Sequence, residues 1–244
     1  MIGTDPQQQA ERFDRVYHDN DQTYGAAASE ELIRYVDQCV RGGGRALDLA
    51  AGLGRDTLAL AQRGLHVTAV DVAEEGLWYL VEQARERGLA DRVAVVVQDI
   101  AAYAYPSKAF DVIVATTAFD HIERDTCRAM LPKIAAALTD TGVLYAEVHT
   151  TEDPGSPTGF GHESQAPISE TADAIAHYFE FNELLNMLAK HLRIVHYEER
   201  REWDHTHGRP HVHGKAIALA VPKSAHPPYR GDHPEQQSGR TVGS

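Results

Sequence analysis

Residues 45–71 read RALDLAAGLGRDTLALAQRGLHVTAVD, and this stretch sets the architecture expected for the rest of the chain. A short apolar run, RALDLA, leads into the glycine-rich AGLG. A segment with apolar residues at helical spacing follows, and the β-branched LHVTAVD closes the stretch. These patterns predict a strand, a glycine loop, a helix and a second strand, the order that begins a parallel α/β sheet.

The alternation of strands and helices extends in both directions. A helix is predicted over 29–40, with Ser29 as its N-cap, and further helices over 73–88, 124–138 and 174–191. Strands are predicted at RVAVVVQD, FDVIVAT and GVLYAEVH. The unbroken apolar run VAVVV indicates a strand that is buried on both faces.

The last two predicted strands, LRIVHYEE and GKAIALAVP, are joined by a polar segment too rich in Gly, Pro and His to hold a helix. Two strands joined without a crossover helix must be antiparallel neighbours. The predicted fold class is therefore α/β, with a doubly wound, Rossmann-like sheet of seven strands that is mostly parallel and has an antiparallel last strand.

The length of the chain, 244 residues, is that of one domain, which we expect to span 11–221. Residues 1–10 and 222–244 are polar and lack periodicity, so both are expected to be flexible tails. Inside the domain, 150–175 is expected to be a substrate flap and 200–213 a His-rich hairpin loop.

Composition restricts the partners. Lys and Arg number 23 against 36 Asp and Glu, for a formal charge of −13, so a phosphate backbone would meet net repulsion. The sequence shows neither a signal peptide nor an apolar run of about 20 residues, which favours a cytoplasmic protein without membrane contact. The two cysteines form no CxxC pair and are expected to be packing residues. A small-molecule substrate is the expectation, and the oligomeric state stays open.

The glycine loop is a candidate cofactor site. Gly52 and Gly54 allow close approach of a ligand to the backbone, and the following helix offers its free N–H groups. Asp71, at the tip of the second strand, can accept both hydroxyls of a ribose. This layout fits either a nicotinamide dinucleotide or S-adenosylmethionine.

Two residues, Thr57 and Asp48, favour S-adenosylmethionine over a dinucleotide, and a third, Asp99, is placed to contact the adenine. Thr57 stands where a dinucleotide fingerprint has its third glycine. Asp48, at the end of the first strand, would repel a pyrophosphate but would suit the positively charged methionine end of S-adenosylmethionine. Asp99, after the third strand, is placed to bind an adenine amino group.

The chain resembles the class I S-adenosylmethionine-dependent methyltransferases. The resemblance covers about 29–222 and rests on ALDLAAGLGRDT, VTAVD, QDI, FDVIVATTAF, ALTDTGVLYAEV and the final antiparallel hairpin. Within that family, GLGRDTLALAQRGLHVTAVD is most similar to the tellurite-resistance type, which methylates small soft nucleophiles, although Ala51 departs from its loop pattern. The cofactor-binding residues that the resemblance implies are Asp48, Ala50, Gly52, Gly54, Arg55, Asp71, Val72, Asp99, Ile100 and Thr116.

Substrate specificity is expected in the segments that cover the carboxyl edge of the sheet. Tyr17 and Tyr24, near the N-terminus, are candidate lids over the cofactor. Asp120 and His121 follow the fourth strand, and the flap at 150–175 follows the fifth.

The sequence contains 14 His, and four of them lie in WDHTHGRPHVHG at 203–214. This cluster is expected at the substrate mouth, because the sixth strand runs parallel to the others and ends at the ligand edge. His-x-His places both side chains on one face of a strand. Three interpretations stay open: a solvated turn, a substrate-orienting or general-base set, and a bound divalent metal.

Candidates for the two functional interpretations can be named. The catalytic candidates, as orienting groups or bases, are His121, His149, His207 and His211. The metal candidates are His205, His207, His211 and His213, with Asp204 as a further ligand or as an orienter of the histidines. The predicted activity is methyl transfer from S-adenosylmethionine to a small molecule, and the alternatives are an NAD-dependent oxidoreductase and a non-catalytic, methyltransferase-like regulatory subunit.

Overall fold

The computed structural model describes residues 6–19, 27–40, 43–158, 165–169, 172–205 and 209–225. The helices are α1 (Pro6–Asp19), α2 (Glu30–Cys39), α3 (Arg55–Gln62), α4 (Glu74–Glu86), α5 (Arg124–Ala137) and α6 (Glu183–Ala189). The strands are β1 (Arg45–Leu49), β2 (His66–Asp71), β3 (Val93–Val97), β4 (Phe110–Thr116), β5 (Leu138–His149), β6 (Leu192–Asp204) and β7 (His211–Pro222). Short 3₁₀ turns occur at Phe119–His121 and Ala172–Ala174.

The strands form one seven-stranded sheet in the order β3-β2-β1-β4-β5-β7-β6. Strands β1 to β5 pair in parallel, and β7 lies antiparallel between β5 and β6. The predicted fold class is confirmed. Successive strands are added on opposite sides of β1, with β2 and β3 on one side and β4 and β5 on the other. The carboxyl ends of β1, β2 and β4 therefore frame a crevice at the switch point of the sheet.

Helices cover both faces of the sheet. Ile134 of α5 and Leu188 of α6 are fully buried on one face, and Leu32 of α2 and Leu60 of α3 are fully buried on the other. The central strand β1 is buried from Ala46 onward for this reason. Cys127 of α5 is a free, buried thiol, as expected of a packing residue.

The burial predicted for VAVVV is wrong. Strand β3 is the edge of the sheet and its residues are only half-buried or exposed, with Val97 53% exposed. An unbroken run of apolar residues occurs in edge strands as well as in central strands. The pattern alone therefore does not determine the position of a strand within the sheet.

Three predicted boundaries differ from those of the structure, two in helices and one in the connection between β6 and β7. Helix α1 begins at Pro6, so the structure places residues 6–10 in a helix where a tail was predicted. The helix predicted over 174–191 is restricted to α6, because the 3₁₀ turn and an extended segment precede it.

The His-rich connection is also shorter than the loop predicted at 200–213. Strand β6 runs to Asp204 and β7 starts at His211, directly opposite Asp204. Polar residues alternate in this hairpin and pair with one another across and along it, as Arg200 does with Glu202 at 2.7 Å. Polar composition was therefore a poor guide to loop structure here.

Among the described residues, no helix combines the length and the apolar character needed to cross a membrane.

Candidate cofactor cleft and histidine cluster

The glycine loop between β1 and α3 is joined to the end of β2. The Gly52 N–H donates to Asp71 Oδ2 at 2.8 Å, and the Ala73 N–H donates to Asp71 Oδ1 at 2.8 Å. Both carboxylate oxygens are thereby held at the tip of β2. Each oxygen keeps acceptor capacity for a further donor, as binding of two ribose hydroxyls requires.

A cleft of about 880 Å³, counting space open to solvent, lies over this loop. Every predicted cofactor residue except Gly54 lines it: Asp48, Ala50, Gly52, Arg55, Asp71, Val72, Asp99, Ile100 and Thr116. Sequence reasoning missed other lining residues, among them Gln9, Phe13 and Asp56.

Gly54 has a packing role that the sequence analysis did not predict. Its φ is +81°, and a Cβ there would lie 2.3 Å from Leu80 Cδ1. The absence of a side chain at Gly54 lets the start of α3 approach α4 closely.

Two buried carboxylates form the floor of the cleft. Asp48 Oδ2 accepts from Thr57 Oγ1 at 2.6 Å, and Asp56 Oδ2 accepts from Thr116 Oγ1 at 2.7 Å. Burial, together with the neighbouring charge of Asp56, raises the pKa of Asp48 to about 8. Burial also raises the pKa of Asp56.

This donor and acceptor set fits one of the two nucleoside cofactors. Buried carboxylates are stabilised by a cation, and the sulfonium and ammonium groups of S-adenosylmethionine supply two. The same carboxylates would repel the pyrophosphate of a dinucleotide.

Helix α1 covers one side of the cleft. Gln9, Phe13 and Tyr17 all line it, and Gln9 Nε2 donates to the carbonyl oxygen of His121 at 2.8 Å. A Cβ at Gly52 would lie 2.6 Å from Tyr17 Oη, so the tyrosine hydroxyl lies over the glycine loop. The predicted lid position of Tyr17 agrees with this contact, and Tyr24 lies outside the described residues.

His121 is the imidazole that lines the cleft in the described part of the chain. Its Nδ1 lies 2.9 Å from the carbonyl oxygen of Ala174, which can only accept, so Nδ1 carries the proton. Phe13 packs edge-on against the ring at 5.5 Å between centroids. Burial lowers the pKa of His121, which keeps the ring neutral near pH 7 with a lone pair on Nε2.

His149 lies behind His121, and the cleft lining does not include it. Its backbone N–H and its Nδ1 both donate to Asp120 Oδ2, at 2.9 Å and 2.6 Å. Although burial opposes ionisation, the hydrogen bond from His149 lowers the pKa of Asp120 to about 2. The hydrogen bond and charge of Asp120 raise the pKa of His149 against its own burial.

The histidine cluster continues from His149 into the β6–β7 hairpin. The ring of His213 lies 4.8 Å from that of His149, and His213 Nδ1 lies 2.9 Å from Asp153 Oδ2. His211 Nε2 lies 2.8 Å from His213 Nε2, which agrees with the prediction that His-x-His shares one face.

The predicted members of this cluster differ in where they lie. His205 is exposed and its ring stacks on Trp203, while His207 lies outside the described residues. Asp204 Oδ2 lies 3.8 Å from His213 Nε2. Asp153 was missed, because only the tertiary fold brings the segment after β5 against β7.

Comparisons with known proteins agree with this geometry. Residues 46–142 match the family model described as a methyltransferase domain. TehB from Haemophilus influenzae is 21% identical, with 88% of this chain and 67% of that chain covered and a TM-score of 0.64. The Burkholderia thailandensis 1,6-didemethyltoxoflavin-N1-methyltransferase is 22% identical, with 89% and 91% covered and a TM-score of 0.62. No curated protein sequence matches the chain.

A third solved structure, an S-adenosylmethionine-dependent methyltransferase from Methanosarcina mazei, is 18% identical over 80% of this chain and 98% of that chain, with a TM-score of 0.61. Residues 46–142 are therefore a methyltransferase domain, and the seven-stranded sheet has the fold of the class I S-adenosylmethionine-dependent methyltransferases. The methyltransferase domain itself includes β1 to β4, which carry the glycine loop, Asp71 and Asp99.

Proposed function

We propose that this methyltransferase transfers the methyl group of S-adenosylmethionine to a small-molecule nucleophile that binds against His121. The observation that carries the proposal is the state of that histidine. Its Nδ1 proton is engaged by the Ala174 carbonyl and its Nε2 lone pair belongs to a ring that lines the cofactor cleft. A neutral imidazole in this position is a hydrogen-bond acceptor for an incoming O–H, N–H or S–H group.

In this proposal the three carboxylates at successive strand ends hold the cofactor. Asp71 accepts from the ribose hydroxyls, Asp99 accepts from the adenine amino group, and Asp48 faces the ammonium group of the methionine end. When bound, S-adenosylmethionine supplies an electrophilic methyl group on a sulfonium sulfur. The protein's task is then to position the nucleophile in line and to exclude water.

Residues of α1 and the β4 exit perform that task. Phe13 and Tyr17 cover the cleft with apolar ring surface, which limits the access of water to the reacting centre. His121 Nε2 orients a protonated nucleophile and accepts its proton. An acceptor that arrives already ionised needs only the orientation.

The small size of the acceptor is supported by the site and by the charge. The cofactor and the acceptor must share one cleft, and helix α1 covers one side of it, which favours a small acceptor. The net charge of −13 disfavours a nucleic-acid substrate. Among the structures with this fold, the Burkholderia enzyme is named for methylation of 1,6-didemethyltoxoflavin, a small molecule.

The test measures S-adenosylhomocysteine formation against a panel of thiols, oxyanions, phenols and keto acids, in the wild type and in His121→Asn. General-base and orienting effects of one histidine contribute about 10²- to 10⁴-fold, so we expect a fall of that size in kcat. Because burial lowers the pKa of His121, the activity of the wild type should decline only at pH values below the ordinary range of a histidine pKa. The pH profile of His121→Asn should lack this decline at acidic pH.

His196→Asn is the matched control, since His196 is a half-exposed histidine on β6. Cofactor affinity, measured by calorimetry, should be close to the wild-type value in both variants. If the wild type binds S-adenosylmethionine but turns over no member of the panel, the regulatory-subunit alternative replaces this proposal.

A further inference from the structure

The end of the β6–β7 hairpin brings together two histidines and one carboxylate. Asp204, the last residue of β6, is the cross-strand partner of His211, the first residue of β7. His213 follows two positions later on the same face as His211, and both imidazoles are buried. This cluster lies outside the cofactor cleft.

The hydrogen bonds of the two rings determine where their protons lie. His211 Nδ1 lies 2.7 Å from the carbonyl oxygen of Arg209, which can only accept, so Nδ1 carries the hydrogen. His213 Nδ1 lies 2.9 Å from Asp153 Oδ2. Each of the Asp153 oxygens also accepts a backbone N–H, from Gly155 at 2.8 Å and from Gly214 at 3.2 Å, as an ionised carboxylate does.

Because Nδ1 of each ring is directed at an oxygen atom, the two Nε2 atoms are directed at each other, and they lie 2.8 Å apart. A shared proton or a metal ion between the two nitrogens accounts for this close approach.

Asp204 adds a carboxylate to this pair of imidazoles. One ligand atom from each of Asp204, His211 and His213 lies within 4.8 Å of the other two, and Asp204 Oδ2 lies 3.8 Å from His213 Nε2. Ligand atoms about 2.0–2.1 Å from a tetrahedral ion lie about 3.3 Å from one another. The observed separations of 2.8 Å and 3.8 Å lie on either side of that value.

We propose that Asp204, His211 and His213 bind a divalent first-row transition-metal ion, such as Zn²⁺, through the two Nε2 atoms and one carboxylate oxygen. Imidazole and carboxylate ligands suit such ions. Asp153 and the Arg209 carbonyl act as the outer partners that orient the two rings, the usual arrangement around metal-bound histidine. Three protein ligands leave a coordination position for water or for an oxygen or sulfur atom of a ligand.

A second grouping, His149, Asp153 and His213, also has its ligand atoms within 4.8 Å of one another. It would require Asp153 to ligate the ion rather than accept from His213 Nδ1. The hairpin grouping keeps that hydrogen bond and uses both facing Nε2 atoms, so the geometry favours it. This inference goes beyond the proposed function, and its test measures metal rather than methyl transfer.

The experiment is titration of the chelator-treated, tag-free full chain with Zn²⁺ by calorimetry and with Co²⁺ by visible absorption. We expect about one ion per chain in the wild type. His211→Ala and Asp204→Ala should each lose most of this binding, and Asp153→Asn should weaken it by about 10- to 100-fold. His196→Ala is the control, because His196 lies on β6 as Asp204 does but is outside the cluster. This variant should bind the ion like the wild type.

Folding of each variant is checked independently by its affinity for S-adenosylhomocysteine, because the cofactor cleft does not include the cluster. The proposal is overturned if the wild type binds neither ion stoichiometrically, if His211→Ala binds as the wild type does, or if His196→Ala abolishes binding. Unchanged affinity in Asp204→Ala combined with its loss in His149→Ala would assign the ion to the second grouping and also overturn the proposal.

Discussion

Gln9 Nε2 donates a hydrogen bond of 2.8 Å to the carbonyl oxygen of His121. This bond joins the N-terminal helix to the turn that carries the only imidazole among the described residues of the cleft lining. A second link lies close by, since Arg12 of α1 forms an ion pair of 2.9 Å with Asp173. Asp173 precedes Ala174, whose carbonyl oxygen accepts a hydrogen bond from His121. Helix α1 is therefore part of the site.

Removal of this hydrogen bond should loosen the cover of the cleft. We expect Gln9→Ala to weaken S-adenosylmethionine binding by about 3- to 10-fold, because a neutral hydrogen bond contributes about 0.5–1.5 kcal/mol. Calorimetric titration measures the change. Glu11→Ala, an exposed position on the same helix, is the control, and an equal loss there would mean that helix content rather than the Gln9 contact matters.

The Asp71 carboxylate should account for much of the cofactor affinity. Each hydrogen bond to a charged group contributes about 1.5–3 kcal/mol, so Asp71→Ala is expected to weaken binding by at least 10-fold and up to about 150-fold per bond lost. Asp91→Asn, at an exposed position before β3, should have no effect. Wild-type affinity in Asp71→Ala would contradict the proposed ribose contact.

Cofactor binding should release a proton from Asp48. The pKa of this buried carboxyl is about 8, so it is largely protonated at pH 7. A bound ammonium group favours the ionised form and lowers that pKa. The affinity for S-adenosylmethionine should therefore rise as the pH increases from about 6 to 8, and it should level off above the pKa that Asp48 has in the free protein.

Calorimetry in two buffers of different ionisation enthalpy measures this proton release. Asp48→Asn keeps an acceptor for Thr57 and removes the titrating group, so its affinity should be weaker and nearly independent of pH. Proton release of the same size in Asp48→Asn would assign the ionisation to another group, and Asp56 is the carboxyl whose charge acts most strongly on Asp48.

Gly54 should be sensitive to both backbone strain and steric overlap. Its φ is +81° and its Cβ would overlap Leu80, so we expect Gly54→Ala to lower the free energy of unfolding by about 2–4 kcal/mol, the sum of left-handed strain and overpacking. Gly88→Ala is the matched comparison, since φ is +68° there and nothing lies within 4 Å of the new methyl group.

Thermal or urea unfolding of both variants separates the two contributions. Gly88→Ala reports the strain alone, about 1–2 kcal/mol. The combination Gly54→Ala with Leu80→Ala should cost less than the sum of the single changes, because the smaller side chain removes the overlap. Equal losses in the two glycine variants would show that packing against Leu80 contributes nothing.

Local patterns in the sequence were sufficient for the central fold and for most of the cofactor cleft. The alternation of apolar strands and helices around the glycine loop determined a parallel sheet, and the parallel arrangement brings Asp48, Asp71 and Asp99 to one edge. Gln9 and Phe13, two of the cleft residues that were missed, lie in α1, whose polar composition resembles a tail. Its side chains become part of the site only through contacts such as that of Gln9 with His121, which are distant in sequence.

The histidine cluster shows which properties the sequence patterns did not predict. Strand periodicity was enough to place His211 and His213 on one face. It did not reveal Asp153 as a partner of His213, the burial of the Asp120–His149 pair, or the edge position of β3. Periodicity and loop chemistry act over a few residues, so they are readable along the chain. Burial, pKa and strand order depend on neighbours brought together from distant segments, and for these properties the packed structure was required.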